Sequence, residues 1–285
     1  FRPDESLDID TTLAHLDAMI DAGVHGMVML GTVGENYALT PNEKLDLLKR
    51  TVEHVAGRVP VITGVAETTT AAAVAFTKAA TDAGVDGFMV MPALVYVSDV
   101  RENVHHFKSV AAATSKPVMI YNNPVSYRVD MKPEDFTHLA DVDNVVAIKE
   151  SSNDPRRITD LYNAHGERFA LLCGVDDLVM ESYILGATGW ISGLVNAFPA
   201  ENRLLWDLME AGRFEEARAV YRWYTPLLHL DTLPKLVQYI KLAAQECGYG
   251  NERCRAPRLN IEGDERKHVL DIIHTAIKNR PEVKL

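Results

Sequence analysis

One phrase recurs along this chain and restricts its fold more than any other feature. It reads Asp21-Ala22-Gly23-Val24-His25-Gly26, returns as Asp82-Ala83-Gly84-Val85-Asp86-Gly87, and appears again, shortened, as Leu185-Gly186-Ala187-Thr188-Gly189. Each copy closes an apolar-periodic helical stretch, supplies a glycine suited to a left-handed helix cap, and opens a short β-rich run. A chain that passes repeatedly from helix end to strand start leaves little room for hairpins. Its strands are therefore expected to lie parallel, with helices covering the sheet.

Apolar patterning predicts strands near Gly26–Leu30, Val59–Val65, Gly87–Met91, Pro117–Tyr121, Val145–Lys149, Phe169–Cys173 and Gly189–Ser192. Helical periodicity falls between them, over Glu43–Ala56, Thr70–Ala83, Val100–Thr114, Lys132–Leu139, Pro155–Gly166 and Leu178–Leu185. An eight-stranded barrel needs one strand more than the seven counted here. Because the chain opens with a loop-like Phe1-Arg2-Pro3-Asp4-Glu5-Ser6 and then a helix through Ile20, the missing first strand is expected before Phe1. Past Ser192 only helical stretches remain, over Glu201–Ala211, Phe214–Leu228, Pro234–Cys247 and Glu262–Ile277. The expected fold is thus α/β, a (β/α)8 TIM barrel over residues 1–222 lacking its first strand, with a C-terminal helical extension over 223–285 packed on it.

With 285 residues, 47% of them apolar, the chain can bury a large core, and a formal charge of -11 argues against a nucleic-acid partner held through phosphates. Three cysteines, Cys173, Cys247 and Cys254, cannot all pair within one chain and none stands in a CxxC spacing. They read as thiols of a reducing compartment. No apolar run reaches membrane-spanning length and no secretory segment opens the chain, so the expectation is a cytoplasmic protein with no membrane partner.

Lys149 ends the apolar run Val145-Val146-Ala147-Ile148-Lys149-Glu150, and Tyr121 ends Pro117-Val118-Met119-Ile120-Tyr121. In a parallel barrel the strand ends and the loops after them form the active face, so these residues converge with the Gly31-Thr32-Val33-Gly34-Glu35 loop. A lysine in apolar surroundings favours its neutral amine, the nucleophile for attack on a carbonyl, and Tyr121 is placed to shuttle protons. The other reading of Lys149 is an ion pair at a strand end, with Glu150 or elsewhere. Backbone N–H groups and the Thr32 hydroxyl offer a cradle for a carboxylate, whereas the same loop read structurally is only a strand-to-helix turn. It lacks the glycine spacing and lysine of a nucleotide-binding loop.

Other polar residues read as structural. Glu35 is expected to hydrogen-bond loop amides, and Thr40-Pro41-Asn42-Glu43 to start a helix. Asp176-Asp177 lacks companions at metal-ligand spacing and reads as a capping loop. His105-His106, His268 and His274 read as ordinary helix residues. Tyr96 and Tyr127 follow successive strands, where either closes over a pocket or packs at a surface.

Together these segments resemble the dihydrodipicolinate synthase/N-acetylneuraminate lyase family. The resemblance is carried by Gly31-Thr32-Val33-Gly34-Glu35, Tyr121-Asn122-Asn123-Pro124, Val146-Ala147-Ile148-Lys149-Glu150, Cys173-Gly174-Val175-Asp176-Asp177 and Ile191-Ser192-Gly193, and it covers essentially the whole chain. It implies a (β/α)8 barrel, a Schiff base between Lys149 and C2 of a 2-oxo acid, and no metal or organic cofactor. It further implies that Tyr121 transfers protons with Thr32 in its relay, and that Thr32 and Val33 hold the carboxylate. Tyr96, Ser126, Gly174 and Ser192 are the remaining substrate-binding candidates. Homotetramers built as pairs of dimers are implied too.

The departures concern substrate. Members that make dihydrodipicolinate carry an arginine where this chain has Ser126, a second threonine where it has Val33, and paired tyrosines where it reads Pro92-Ala93-Leu94-Val95-Tyr96. Arg128 is nearby, displaced by two positions. The two loops look most like a branch that converts 1-pyrroline-4-hydroxy-2-carboxylate, a cyclic imino acid, to 2,5-dioxopentanoate and ammonia. A 2-keto-3-deoxy sugar-acid aldolase or dehydratase, a dihydrodipicolinate synthase, and a non-enzymatic small-molecule-binding barrel are the alternatives.

Overall fold

The computed structural model describes residues 1–93 and 95–282; Leu94 of the loop singled out above lies outside the described residues. The chain forms two compact units, one of residues 26–191 and the other of residues 1–25 with 192–285. It has a TIM-barrel-like α/β fold with C-terminal helices.

The 26–191 unit holds seven strands: β1 Met27–Met29, β2 Val61–Val65, β3 Gly87–Val90, β4 Val118–Asn122, β5 Val145–Glu150, β6 Ala170–Cys173 and β7 Gly189–Trp190. They pair in sequence order and always in parallel. Between them run the helices Pro41–Val55, Thr70–Asp82, Val100–Ala111, Pro124–Tyr127, Arg156–His165 and Val179–Ile184. Strand positions agree with the periodicity to within about two residues, a margin ordinary for element ends. The stretch from Lys132 to Leu139 is a 3₁₀ helix over Pro133–Leu139 rather than an α-helix. The short segment Pro124–Tyr127 is helical although no periodicity announces so brief a turn.

Local chemistry explains the punctuation. Thr40 accepts the Glu43 N–H while Glu43 bonds back to the Thr40 N–H, a capping box with Pro41 in the first turn, and Asp99 with Glu102 does the same. The glycines of the recurring phrase, Gly23, Gly84 and Gly186, all stand at positive φ, as a left-handed cap requires.

The sheet interior is one cluster to which every strand or its end contributes: Val28, Ile62 and Ala66, Met89 and Met91, Met119 and Tyr121, Ala147, Leu172 and Ile191. On the opposite face, buried side chains such as Phe88, Val118 and Ile120 pack below 2% exposure, each stabilising by about 2 kcal/mol. The β4–β5 ladder is not uniform. Val118 pairs with Val145 but Met119 pairs with Ala147, so Val146 is passed over and the register advances by one residue. Above this bulge Tyr121 lies level with Lys149, and Asn122 with Glu150.

The other unit comprises the helices Ile9–Asp21, Pro199–Glu210, Phe214–Asp231, Leu236–Glu246 and Gly263–Lys278. Phe214–Asp231 runs unbroken through the 222/223 boundary expected from the sequence, with Pro226 inside it. Ser192 lies here: its hydroxyl donates to Asn202 Oδ1 at 3.0 Å and accepts the Val195 N–H at 3.1 Å, tying down a short 3₁₀ turn. Among the described residues no helix is long and apolar enough to cross a membrane.

Candidate active site

Two strand ends build the centre. Parallel pairing sets Tyr121 and Lys149 side by side, both turned into the interior layer with Met119 and Ala147. Lys149 is 8% exposed, and its Nζ stands over the Tyr121 ring, 4.0 Å from the centroid. Glu150 points the opposite way, as alternation along a strand demands. Its carboxylate accepts from Asn122 Nδ2 at 2.9 Å and from the Ser152 N–H at 2.7 Å. Burial pushes the Glu150 carboxyl up, against the pull of those hydrogen bonds. The expected alternative of a Lys149–Glu150 pair is thus not formed; the two side chains serve different faces.

Lys149 also depends on what is missing just past the end of β6. A Cβ on Gly174 would lie 2.0 Å from Ser151 Oγ and 2.7 and 2.8 Å from Lys149 Cε and Cγ. Gly174 continues the ladder through its N–H to the Glu150 carbonyl at 2.9 Å. Backbone approach without a side chain leaves the lysine stem its channel.

The loop after β1 supplies Thr32. Leu30 and Glu35 both take left-handed φ, and the Glu35 N–H closes a turn onto the Thr32 carbonyl at 3.0 Å. Glu35 is buried, and Asn36 Nδ2 holds the Leu30 carbonyl at 2.9 Å. Gly64 lets this loop settle on β2, since a Cβ there would stand 2.4 Å from the Leu30 oxygen. Among the described residues no backbone carbonyl accepts the Thr32 or Val33 N–H.

Thr32 reaches a residue whose part the sequence left open. Its Oγ1 lies 3.0 Å from the hydroxyl of Tyr127, not directly on Tyr121. Tyr127 meets Tyr121 edge to face with ring centroids 5.5 Å apart, and its hydroxyl also reaches Met91 Sδ at 3.7 Å. Burial, and then the nearby Tyr121, push the Tyr127 phenol well above its ordinary range, so it stays neutral and able to pass a proton. Thr32 is thus hydrogen-bonded to Tyr127, Tyr127 packs its ring on Tyr121, and Tyr121 lies against the amine of Lys149.

The base of the Tyr127 loop is fixed. Asn122 accepts the Met131 N–H at 3.0 Å and donates to the Met131 carbonyl at 3.1 Å, while Arg157 grips both oxygens of Asp130 at 2.9 and 2.8 Å. Burial raises the Asp130 carboxyl, but Arg157 and then Lys132 overcome it and bring its pKa down to about 2.

The remaining candidates fall elsewhere. Ser126 is exposed on the short helix after β4, and Arg128, also exposed, ends that helix at positive φ. Tyr96 is 59% exposed and lines an open cleft of about 510 Å³ with Thr70, Arg101 and His106, a cleft that does not include Lys149. Asp176 is buried and accepts the Trp190 indole N–H at 2.9 Å. Among the described residues no three His, Cys, Asp or Glu side chains gather as a metal site.

The profile of the dihydrodipicolinate synthetase family matches residues 1–276. The 4-hydroxy-tetrahydrodipicolinate synthase of Cellvibrio japonicus is 33% identical over 267 residues, covering 93% of this chain and 92% of the relative. The chain belongs to the dihydrodipicolinate synthetase family. Membership makes it an enzyme of the Schiff-base lyase class, acting on a small molecule. An uncharacterised DapA-like lyase of Halobacterium salinarum is 36% identical, with 93% of this chain and 87% of the relative covered. Among solved structures, dihydrodipicolinate synthase DapA-2 of Bacillus anthracis superposes with a TM-score of 0.93 at 28% identity, over 99% of this chain and 95% of the other. YagE, a family protein of E. coli K12 solved with pyruvate, gives 0.91 at 25% identity, over 97% and 95%.

Proposed function

We propose that this family member opens and deaminates 1-pyrroline-4-hydroxy-2-carboxylate through an imine on Lys149. The observation that carries the reading is the buried Lys149 amine level with Tyr121, whose ring packs on Tyr127, itself hydrogen-bonded to Thr32. Lys149 adds to C2 of the cyclic imine and expels the ring nitrogen as an amine on C5. Tyr121 takes a proton from C3 and the C4 hydroxyl leaves as water. The conjugated imine then shifts its unsaturation to C5, hydrolyses there to release ammonia, and finally hydrolyses from Lys149. One water is lost and two are taken up, so 2,5-dioxopentanoate and ammonia form with net consumption of one water.

Thr32 and Val33 hold the carboxylate by their N–H groups, which supports positioning of C2 against Lys149. Exposed Ser126, where synthases of the family carry arginine, favours this substrate over aspartate semialdehyde. A second reading, 4-hydroxy-tetrahydrodipicolinate synthesis, draws on the names of curated relatives and would use the same lysine. Gly174 completes the proposed substrate contacts beside Lys149. The assembly proposed is a homotetramer, a dimer of dimers, in the cytoplasm.

The test is a substrate panel of hydroxypyrroline carboxylate, 2-keto-3-deoxy sugar acids, N-acetylneuraminate, and pyruvate with aspartate semialdehyde, scored separately for ammonia and pyruvate. Ammonia from the first alone is expected, with a borohydride-trapped adduct at Lys149 and no turnover by Lys149→Ala. Turnover only of pyruvate with aspartate semialdehyde would replace this reading by the second.

A further inference from the structure

Asn123 takes no part in the chemistry above, yet its side chain is held at both ends. Its Oδ1 accepts the Ser126 N–H at 3.0 Å and so caps the helix Pro124–Tyr127. Its Nδ2 donates to the Tyr121 hydroxyl oxygen at 3.1 Å. Amide oxygen and nitrogen are interchangeable only where the partners permit, and here they do not. A backbone N–H can only donate, so Oδ1 must face Ser126 and the NH₂ group must face the phenol. Tyr121 is therefore an acceptor toward Asn123, and its single proton is turned toward its other neighbours. The Asn123 carbonyl also accepts the Tyr127 N–H at 2.9 Å. One residue thus holds the oxygen of one phenol and the backbone of the other.

We propose that Asn123 is a positioning residue for proton transfer, fixing the Tyr121 hydroxyl and steadying its oxygen while the proton is away. The physical reason is that an N–H donor favours an oxygen that has gained negative charge more than one that has not. The inference rests on Lys149 and Tyr121 acting as proposed. It separates two events: formation of the imine, which needs the lysine amine, and removal of a proton next to the imine, which needs the tyrosine.

Pyruvate is the probe. Borohydride trapping measures the imine at Lys149, and loss of methyl proton signal in D₂O measures proton removal. Asn123→Asp and Asn123→Ser keep an oxygen for the Ser126 N–H, since both are good helix caps, but neither offers the amide N–H to Tyr121. Both variants are expected to trap pyruvate as the unmodified protein does and to exchange methyl protons at least about tenfold more slowly, the scale of a hydrogen bond to a charged group. The aspartate should be the slower, because its charge opposes charge on the phenol. Tyr121→Phe sets the limit, trapping without exchange. Unchanged exchange in both Asn123 variants, with exchange lost in Tyr121→Phe, overturns the proposal. Trapping and exchange falling in step with a lowered melting temperature also overturns it, leaving Asn123 a helix cap. Absence of any Lys149 adduct in the unmodified protein overturns this inference and the proposed function together.

Discussion

Placing a methyl group on Gly174 tests whether the missing side chain sets the position of Lys149. In Gly174→Ala the new carbon would lie 2.7 Å from Lys149 Cε and 2.8 Å from Cγ. Carbon atoms rest at about 3.5–4.0 Å, so both must retreat by roughly 1 Å. Because the two clashes sit on either side of Cδ, rotating the end of the side chain cannot relieve both. A displacement of about 1 Å at a reacting group costs on the order of 10²-fold in rate. Overpacking itself costs about 1–3 kcal/mol, which a domain with roughly 5–15 kcal/mol of stability survives. The assay is the rate at which pyruvate and borohydride label Lys149, followed by intact mass, beside a thermal melt. Labelling should slow about a hundredfold while the protein remains folded. Adding Ser151→Ala removes the contact at 2.0 Å but not those to the lysine, so labelling should stay slow. Labelling of folded Gly174→Ala at the unmodified rate would refute the reasoning.

Three further outcomes are expected. Tyr127→Phe removes the hydroxyl that stands 3.0 Å from Thr32, so methyl proton exchange of pyruvate should fall while borohydride trapping persists. Gly64→Ala drives a methyl group into the Leu30 carbonyl at 2.4 Å, backbone that has nowhere to go, and should lower stability by about 3 kcal/mol in urea unfolding. For Asp130, the folded-state pKa of about 2 lies below the ordinary carboxylate value of 3.8, so its contribution is complete above that value and fades as pH falls through the folded pKa. Asp130→Asn should therefore be less stable than the unmodified protein at neutral pH, with the gap closing from about pH 4 downward in acid unfolding curves.

Much of this fold is written locally. The helix-glycine-strand phrase sets Gly23, Gly84 and Gly186 at positive φ, and short apolar runs place the strands. Lys149 and Tyr121 were legible because a polar residue at the end of a buried run is conspicuous. Tyr127 was legible only as a residue that closes over a pocket or packs at a surface, because its placement beside Thr32 and Tyr121 depends on a four-residue helix too short for periodicity to register. The sign available was Asn123-Pro124, a cap followed by a helix-starting proline, which turns the next residues back over the strand ends. Gly174 was visible as part of a motif, but its closeness to the Lys149 stem arises from pairing between β5 and β6, long-range information that no single segment carries. The stretch Lys132–Leu139 came out as 3₁₀ for a related reason: over so few residues apolar periodicity fits a 3₁₀ helix and an α-helix alike, and packing decides which of the two forms.

The passed-over residue in β5 has a consequence for how such a centre is altered. Tyr121 and Lys149 meet because two strands count differently: three steps from Val118 to Tyr121 on one, four from Val145 to Lys149 on the other. The extra step at Val146 is the phase correction that brings the amine level with the phenol. Were the two strands counted in step, Tyr121 would stand opposite Ile148, and the lysine would be opposite Asn122. The pair is therefore governed by arithmetic as much as by chemistry. Substitutions at the strand ends tune it by degrees, whereas adding or removing a single residue below them would dissolve it at a stroke.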